Sequence, residues 1–267
     1  MTDWTGTWRE LATAELMAGP GESQMVERWR GVAARLDRGA DYPDSLLEFV
    51  MSRLEPGWTV LDVGAGVGRW AIPIAGRVRA VTCVEPSSAM RQMLEERSRA
   101  HGRRNVTTVG MPWPEADVPV HDVAVAVFSM YTSPDLVGFV RKMEASARQA
   151  CYLALRVPAH DGIIGELSER IRGNWHDSPN FVVAYNLLLQ AGFYPNVVME
   201  PKPVRFWTDA NLDEAMARAK RHLRLADDAT HDGLIRDTLE RRLIATEGLL
   251  RWPDAMRSAV IWWGTRQ

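Results

Sequence analysis

Cysteine is scarce. Only Cys83 and Cys151 occur among 267 residues, each inside an apolar run, so a disulfide framework is excluded and both read as buried free thiols of a reducing compartment. No Cys/His cluster has metal-ligand spacing, and no metal is expected. Positive charge is not in excess either: 32 Lys and Arg stand against 34 Asp and Glu, a net charge of −2, so nothing points to a nucleic-acid partner. Long hydrophobic runs are missing. No apolar stretch approaches the ~20 residues that cross a bilayer, and the opening Met-Thr-Asp-Trp lacks a charged segment followed by an apolar core. The expectation is a cytoplasmic protein without a membrane partner. Internal repeats and low-complexity tracts are also absent. What remains, at 46% hydrophobic and 25% charged residues, is an ordinary globular composition, long enough for one large α/β domain with additions or at most two domains.

The chain is organised around Val60 to Gly68, Val-Leu-Asp-Val-Gly-Ala-Gly-Val-Gly. Val60, Leu61 and Val63 read as a short buried strand. Gly64, Gly66 and Gly68 read as a turn that a ligand can approach closely, because glycine has no side chain and no penalty for positive φ. An apolar pattern resumes over Arg69 to Ala75 and opens a helix. The dinucleotide fingerprint places its third glycine at the sixth position, where this chain has Arg69. Asp62, just before the turn, would repel a pyrophosphate and attract an ammonium. The next apolar run, Ala80 to Val84, ends in Glu85, where a carboxylate can accept ribose hydroxyls.

An apolar strand, an acid, Gly-x-Gly-x-Gly and a second strand ending in an acid resemble the class I S-adenosylmethionine-dependent methyltransferases. Against this stand a nicotinamide-binding fold and a glycine turn of purely structural role. The resemblance covers 57–157 with motif support and 158–267 by order of elements alone. It implies S-adenosylmethionine as cofactor, leaving as S-adenosylhomocysteine. The cofactor residues it implies are Asp62, Gly64, Ala65, Gly66 and Gly68 at the turn, Glu85, Pro86 and Met90 after the second strand, Met111, Pro112 and Trp113 in the loop after the third, and Phe128 and Ser129 after the fourth. Met111 and Trp113 could sandwich the adenine; alternatively Trp113 plugs the sheet edge. Trp29 fits an N-terminal tryptophan of the family, or else simply closes the core from an amphipathic helix.

The pattern predicts α/β architecture: a doubly wound, mostly parallel seven-stranded sheet with its last strand antiparallel, plus N-terminal helices and a helical insertion. Residues 1–55 form the helical N-terminal segment and 56–200 the Rossmann-like core. Residues 201–254 form a helical cap with helices over Asn211 to Leu225 and His231 to Leu250, and 255–267 supply the final strand. Asp44 and Ser87 or Ser88 are helix caps, and Val123 to Phe128 is a strand buried on both faces. The chemistry expected is in-line methyl transfer to a small-molecule acceptor through O, N or S. Should a general base be used, Tyr131, His160 and His176 are the candidates. RNA or protein acceptors, a non-catalytic cofactor-binding regulator and a nicotinamide oxidoreductase are the alternatives. The balanced charge of the cap suits a pocket lid or a homodimer interface better than a nucleic-acid arm.

Overall fold

A computed structural model of the chain describes residues 2–17, 30, 44–201 and 205–265. Trp29, named above, lies outside them. Among the described residues, helices α1 (Trp4–Met17) and α2 (Ser45–Met51) precede the first strand. Asp44 caps α2 by accepting from the Leu47 N–H. The core then alternates strand and helix: β1 (Thr59–Val63), α3 (Ala71–Ala75), β2 (Ala80–Val84), α4 (Ser88–Ala100), β3 (Val106–Val109), β4 (His121–Val127), a 3-10 turn (Met130–Thr132), α5 (Leu136–Ala145) and β5 (Ala147–Val157). Then come α6 (Ile163–Arg172), α7 (Phe181–Gln190) and β6 (Asn196–Met199). The remaining elements are β7 (Arg205–Asp209), α8 (Leu212–His222), α9 (Asp232–Arg242), β8 (Ile244–Thr246) and β9 (Leu249–Gly264).

The strand order β3-β2-β1-β4-β5-β9-β6 is the doubly wound arrangement expected. Pairs along β1 to β5 are parallel, and β9 enters antiparallel between β5 and β6. Alternate residues of each central strand bury opposite faces, which gives two apolar clusters. Leu61, Val63, Ala124, Leu153 and Ile261 join α1, α5 and α7 on one side. Val60, Val81, Val123, Tyr152 and Val260 join α2 and α3 on the other. The continuous apolar run of β4 supplies both, as a two-sided strand must. His121 is buried at the far end of β4, its Nε2 2.8 Å from the Thr82 hydroxyl, a structural place.

The insertion departs from expectation. It is not purely helical: β7 precedes its helices, and the second helix ends at Arg242 instead of Leu250. Residues 244–246 and 249–251 form a hairpin around Glu247 and Gly248, both at positive φ (46° and 79°). Two consecutive left-handed residues make the turn that suits strand twist, and Leu249 and Leu250 pair with Thr246 and Ala245 in the ladder instead of extending a helical stripe. The final strand therefore starts at Leu249, not Ser258, and runs 16 residues. Its first half pairs with β7 and β8, and its second half with β5 and β6. The β7 register shifts between Phe206 and Thr208, opposite the stretch holding Pro253, where the missing N–H interrupts a ladder. The insertion has its own core: Ala215, Met216, Leu223, Ile235, Leu239 and Trp252 close over Ile163, Ile164 and Leu167 of α6.

Candidate active site

The site is built at the carboxyl ends of β1, β2, β4 and β5, where open parallel sheets bind ligands. The three glycines after β1 all have positive φ, 71° at Gly64, 54° at Gly66 and 81° at Gly68, but the reasons for glycine differ. A Cβ on Gly64 would come within 2.3 Å of the Ser129 Cβ, so Gly64 lets the end of β4 close onto β1. One on Gly68 would press on Ile72 and Leu94 at 3.1 and 3.2 Å. One on Gly66 would meet nothing within 4 Å. Of the three, Gly66 alone borders space that no described residue fills.

The amides of this turn are already engaged. Gly64 and Ala65 donate to the Val84 carbonyl at 2.7 and 3.1 Å, and Gly66 donates to Glu85 Oε2 at 3.0 Å. A phosphate cradle needs such donors aimed at its ligand, whereas this turn has turned them inward and presents carboxylates. Glu85 Oε1 takes the Ser87 N–H at 2.9 Å, which leaves each oxygen a further lone pair for a hydroxyl. Desolvation raises the Glu85 pKa against the pull of those two N–H groups. Asp62 is 2% exposed, and its Oδ1 has no hydrogen-bond partner among the described residues. Burial, seconded by repulsion from Glu85, pushes its pKa up to about 7. A buried carboxylate oxygen without a donor carries a desolvation cost, which an ammonium would remove. Asp62, Glu85 and the void at Gly66 thus fit an amino acid joined to a ribose, and fit a pyrophosphate badly.

Around this centre the expected residues fall into place unevenly. Ser87 caps α4 by accepting from the Met90 N–H, which fixes the turn after Glu85. Pro86 is exposed and Met90 buried. Arg91 donates to the carbonyls of Glu85 and Pro86 at 2.7 and 2.8 Å, tying that turn down. Met111 and Pro112 are exposed beyond β3. The Trp113 indole N–H donates to the Phe139 carbonyl at 3.1 Å, and its ring meets the Phe139 ring edge to face, so its side chain is anchored on α5. Ser129 donates to the Val63 carbonyl at 2.6 Å. Phe128 has φ 55°, a left-handed conformation unfavourable for a bulky residue. It packs between the two core clusters, which hold it there at a cost of ~1–3 kcal/mol.

The candidate bases are scattered. Tyr131 is buried, its hydroxyl accepting the Arg156 backbone N–H at 2.7 Å. Burial raises the phenol pKa, so it stays protonated near neutrality and cannot act as a base. His160 is exposed in the loop after β5. His176 is half-buried, its ring 6.3 Å from that of Trp4 and its Nδ1 3.2 Å from Asn180 Nδ2. Burial lowers the His176 pKa and keeps it neutral. The expectation had no place for Arg156, whose guanidinium lies 4.5 Å over the Tyr131 ring. The signal was an arginine breaking an apolar strand at its ligand-facing end.

Residues 60–149 match the family model described as a methyltransferase domain. This stretch, which holds the glycine turn, Glu85 and β4, is thus similar to a methyltransferase domain. An uncharacterized protein of Haemophilus influenzae is 27% identical over 143 residues, 52% of each chain, so the match spans about half the length of that relative. The YcgJ protein of Bacillus subtilis superposes with a TM-score of 0.55 at 15% identity, covering 83% of this chain and 98% of its own. A Bacillus halodurans protein assigned to the methyltransferases gives 0.57 at 13%, covering 84% and 98%. At such identities the likeness is one of fold. Among the described residues no helix is long and apolar enough to cross a membrane.

Proposed function

We propose that the chain transfers the methyl group of S-adenosylmethionine to a small-molecule acceptor, by displacement at an O, N or S nucleophile. The observation that carries this reading is the pairing of a donorless buried carboxylate, Asp62, with a turn whose open space lies at Gly66. In this assignment Asp62 faces the ammonium, Glu85 the ribose hydroxyls, Met111 the adenine face, and Phe128 with Ser129 the floor near the reacting atoms. The bound sulfonium supplies a methyl already activated for transfer. The protein's own part is to hold the acceptor nucleophile ~3–3.5 Å from it, in line, and to keep water out.

No general base is assigned. Tyr131 holds its proton, and the Nδ1 of His176 lies against Asn180, while displacement at an activated methyl needs only a nucleophile with a free lone pair. The net charge of −2 favours a small molecule over RNA, and the absence of a long apolar helix among the described residues agrees with a cytoplasmic site of action. The insertion over α6 serves as a lid on the acceptor side in this reading; a homodimer built on it is the other use of the same surface. Calorimetry with S-adenosylhomocysteine, beside NAD and NADP, tests the cofactor: binding of the first alone is expected, and preferential binding of a nicotinamide would refute it. Labelled-methyl transfer into small-molecule extract fractions, rather than into RNA, protein or nothing, tests the acceptor class and separates an enzyme from a non-catalytic regulator.

A further inference from the structure

Beside the cofactor turn, the carboxyl end of β5 carries a cation placed for a ligand. The Phe128 N–H donates to the Ala154 carbonyl at 3.0 Å, so β4 and β5 run side by side to their ends, and Arg156 emerges two residues later. One strand spacing is ~4.8 Å, which puts Arg156 about 10 Å across the sheet from the end of β1, the width of a small acceptor. Its guanidinium is stacked on Tyr131 and forms no ion pair with any described carboxylate. Glu15 and Asp177 act on it only from farther off. Glu15 is itself bound to Arg224 at 2.9 Å, and the same Arg224 donates to the Asp177 carbonyl at 3.1 Å, so the end of α1, the loop after α6 and the end of α8 close around this corner. Tyr131 adds a second donor. Its oxygen accepts from Arg156, which leaves its proton to give.

Resting on the methyl-transfer reading above, we propose that Arg156 and Tyr131 bind an oxyanion of the acceptor, a carboxylate or a phosphate, and thereby orient its nucleophile toward the methyl. A planar guanidinium can offer its edge to two oxygens at once. Its place over the Tyr131 ring brings that donor beside the phenol, whose proton supplies a third bond. An acid acceptor also finds here a positive charge that forms no ion pair with a described carboxylate, while Glu15 nearby is bound to Arg224.

The test uses S-adenosylhomocysteine-saturated protein titrated with benzoate, phenyl phosphate and the neutral control benzamide. At least one anion should bind tenfold more tightly than benzamide. That preference should vanish in Arg156→Gln, persist in part in Arg156→Lys, and fall severalfold in Tyr131→Phe. S-adenosylhomocysteine affinity of Arg156→Gln should stay within twofold of wild type, which shows that the variant is folded. Equal binding of all three probes by wild type, or an anion preference unchanged in Arg156→Gln, would overturn the assignment. The same titrations on protein without S-adenosylhomocysteine read the oxyanion site independently, so a failure of cofactor binding counts against the proposed reaction and not against Arg156.

Discussion

The glycine turn and the insertion solve opposite problems. At 62–68 the backbone does the work: positive φ at three glycines, amides folded back onto β2, and an acid buried where side chains would normally be apolar. At 205–252 the side chains do it. Trp252 is fully buried and donates to Asp209 Oδ2 at 2.7 Å, and Arg218 grips the same carboxylate at 2.7 Å. Arg241 and Arg242 both reach Glu166 of α6. The first region gives up stability by burying the Asp62 carboxyl, whereas the second gains stability by covering α6. Substitutions should separate the two accordingly.

The largest effect is expected at Trp252. Removing a buried tryptophan leaves a cavity and strips Asp209 of a donor, so Trp252→Ala should lose ~3–5 kcal/mol, read as a fall in the denaturation midpoint. Cofactor affinity of the fraction that folds should hardly change. A folded variant that no longer binds S-adenosylhomocysteine would show that the insertion reaches the cofactor and erase the contrast. Next comes Gly66→Val, whose side chain enters the empty space of the turn. It should weaken S-adenosylhomocysteine by about a hundredfold, ~2.7 kcal/mol at 25 °C, while the far-ultraviolet spectrum stays that of a folded protein. Undiminished affinity would mean that the space at Gly66 is not the binding site.

Glu85→Ala is expected to cost tenfold or more, since a hydrogen bond to a charged acceptor contributes ~1.5–3 kcal/mol. A 2′-deoxy analogue of the cofactor should lose much less on going from wild type to the variant. Equal losses for both compounds would take the ribose away from Glu85. The smallest effect is a pH dependence. Asp62 holds its proton up to about pH 7, and an ammonium prefers it ionised, so S-adenosylhomocysteine affinity should rise severalfold between pH 6 and 8. The rise should flatten in Asp62→Asn. The sign for the free protein is opposite. The native state keeps a proton that the unfolded chain has released, so this group's contribution to stability falls as pH climbs from about 4 to 7. Chemical denaturation at both ends of that range checks it.

The same contrast explains what could be read from the sequence. Backbone requirements leave a mark on residue type, because few residues other than glycine tolerate positive φ and a lone acid stands out in an apolar run. Asp62, the glycines and Glu85 were legible for that reason, as were the Asp44 and Ser87 caps. Packing leaves a weaker mark. Leu243, Leu249 and Leu250 fit a helical stripe as well as two short strands, and only the Glu247-Gly248 turn distinguishes the two. The anchoring of Trp113 was not legible, because a tryptophan in a ligand loop suits a purine or a neighbouring helix equally, and its partner, the Phe139 carbonyl, lies 26 residues away. Arg156 drew no notice for a similar reason: an arginine acquires a role from the ring beneath it, and Tyr131 lies 25 residues earlier.

Because β9 lies between β5 and β6, the sheet is completed from the far end of the chain. A ribosome making this protein exposes the glycine turn, Glu85 and β4 long before it exposes Val260 and Ile261, and until then the edge of β5 has no neighbour. Such an edge invites pairing with another nascent chain. One strand completes both the sheet and the small ladder of the insertion, so α6 acquires its cover in the same late step that seals β5.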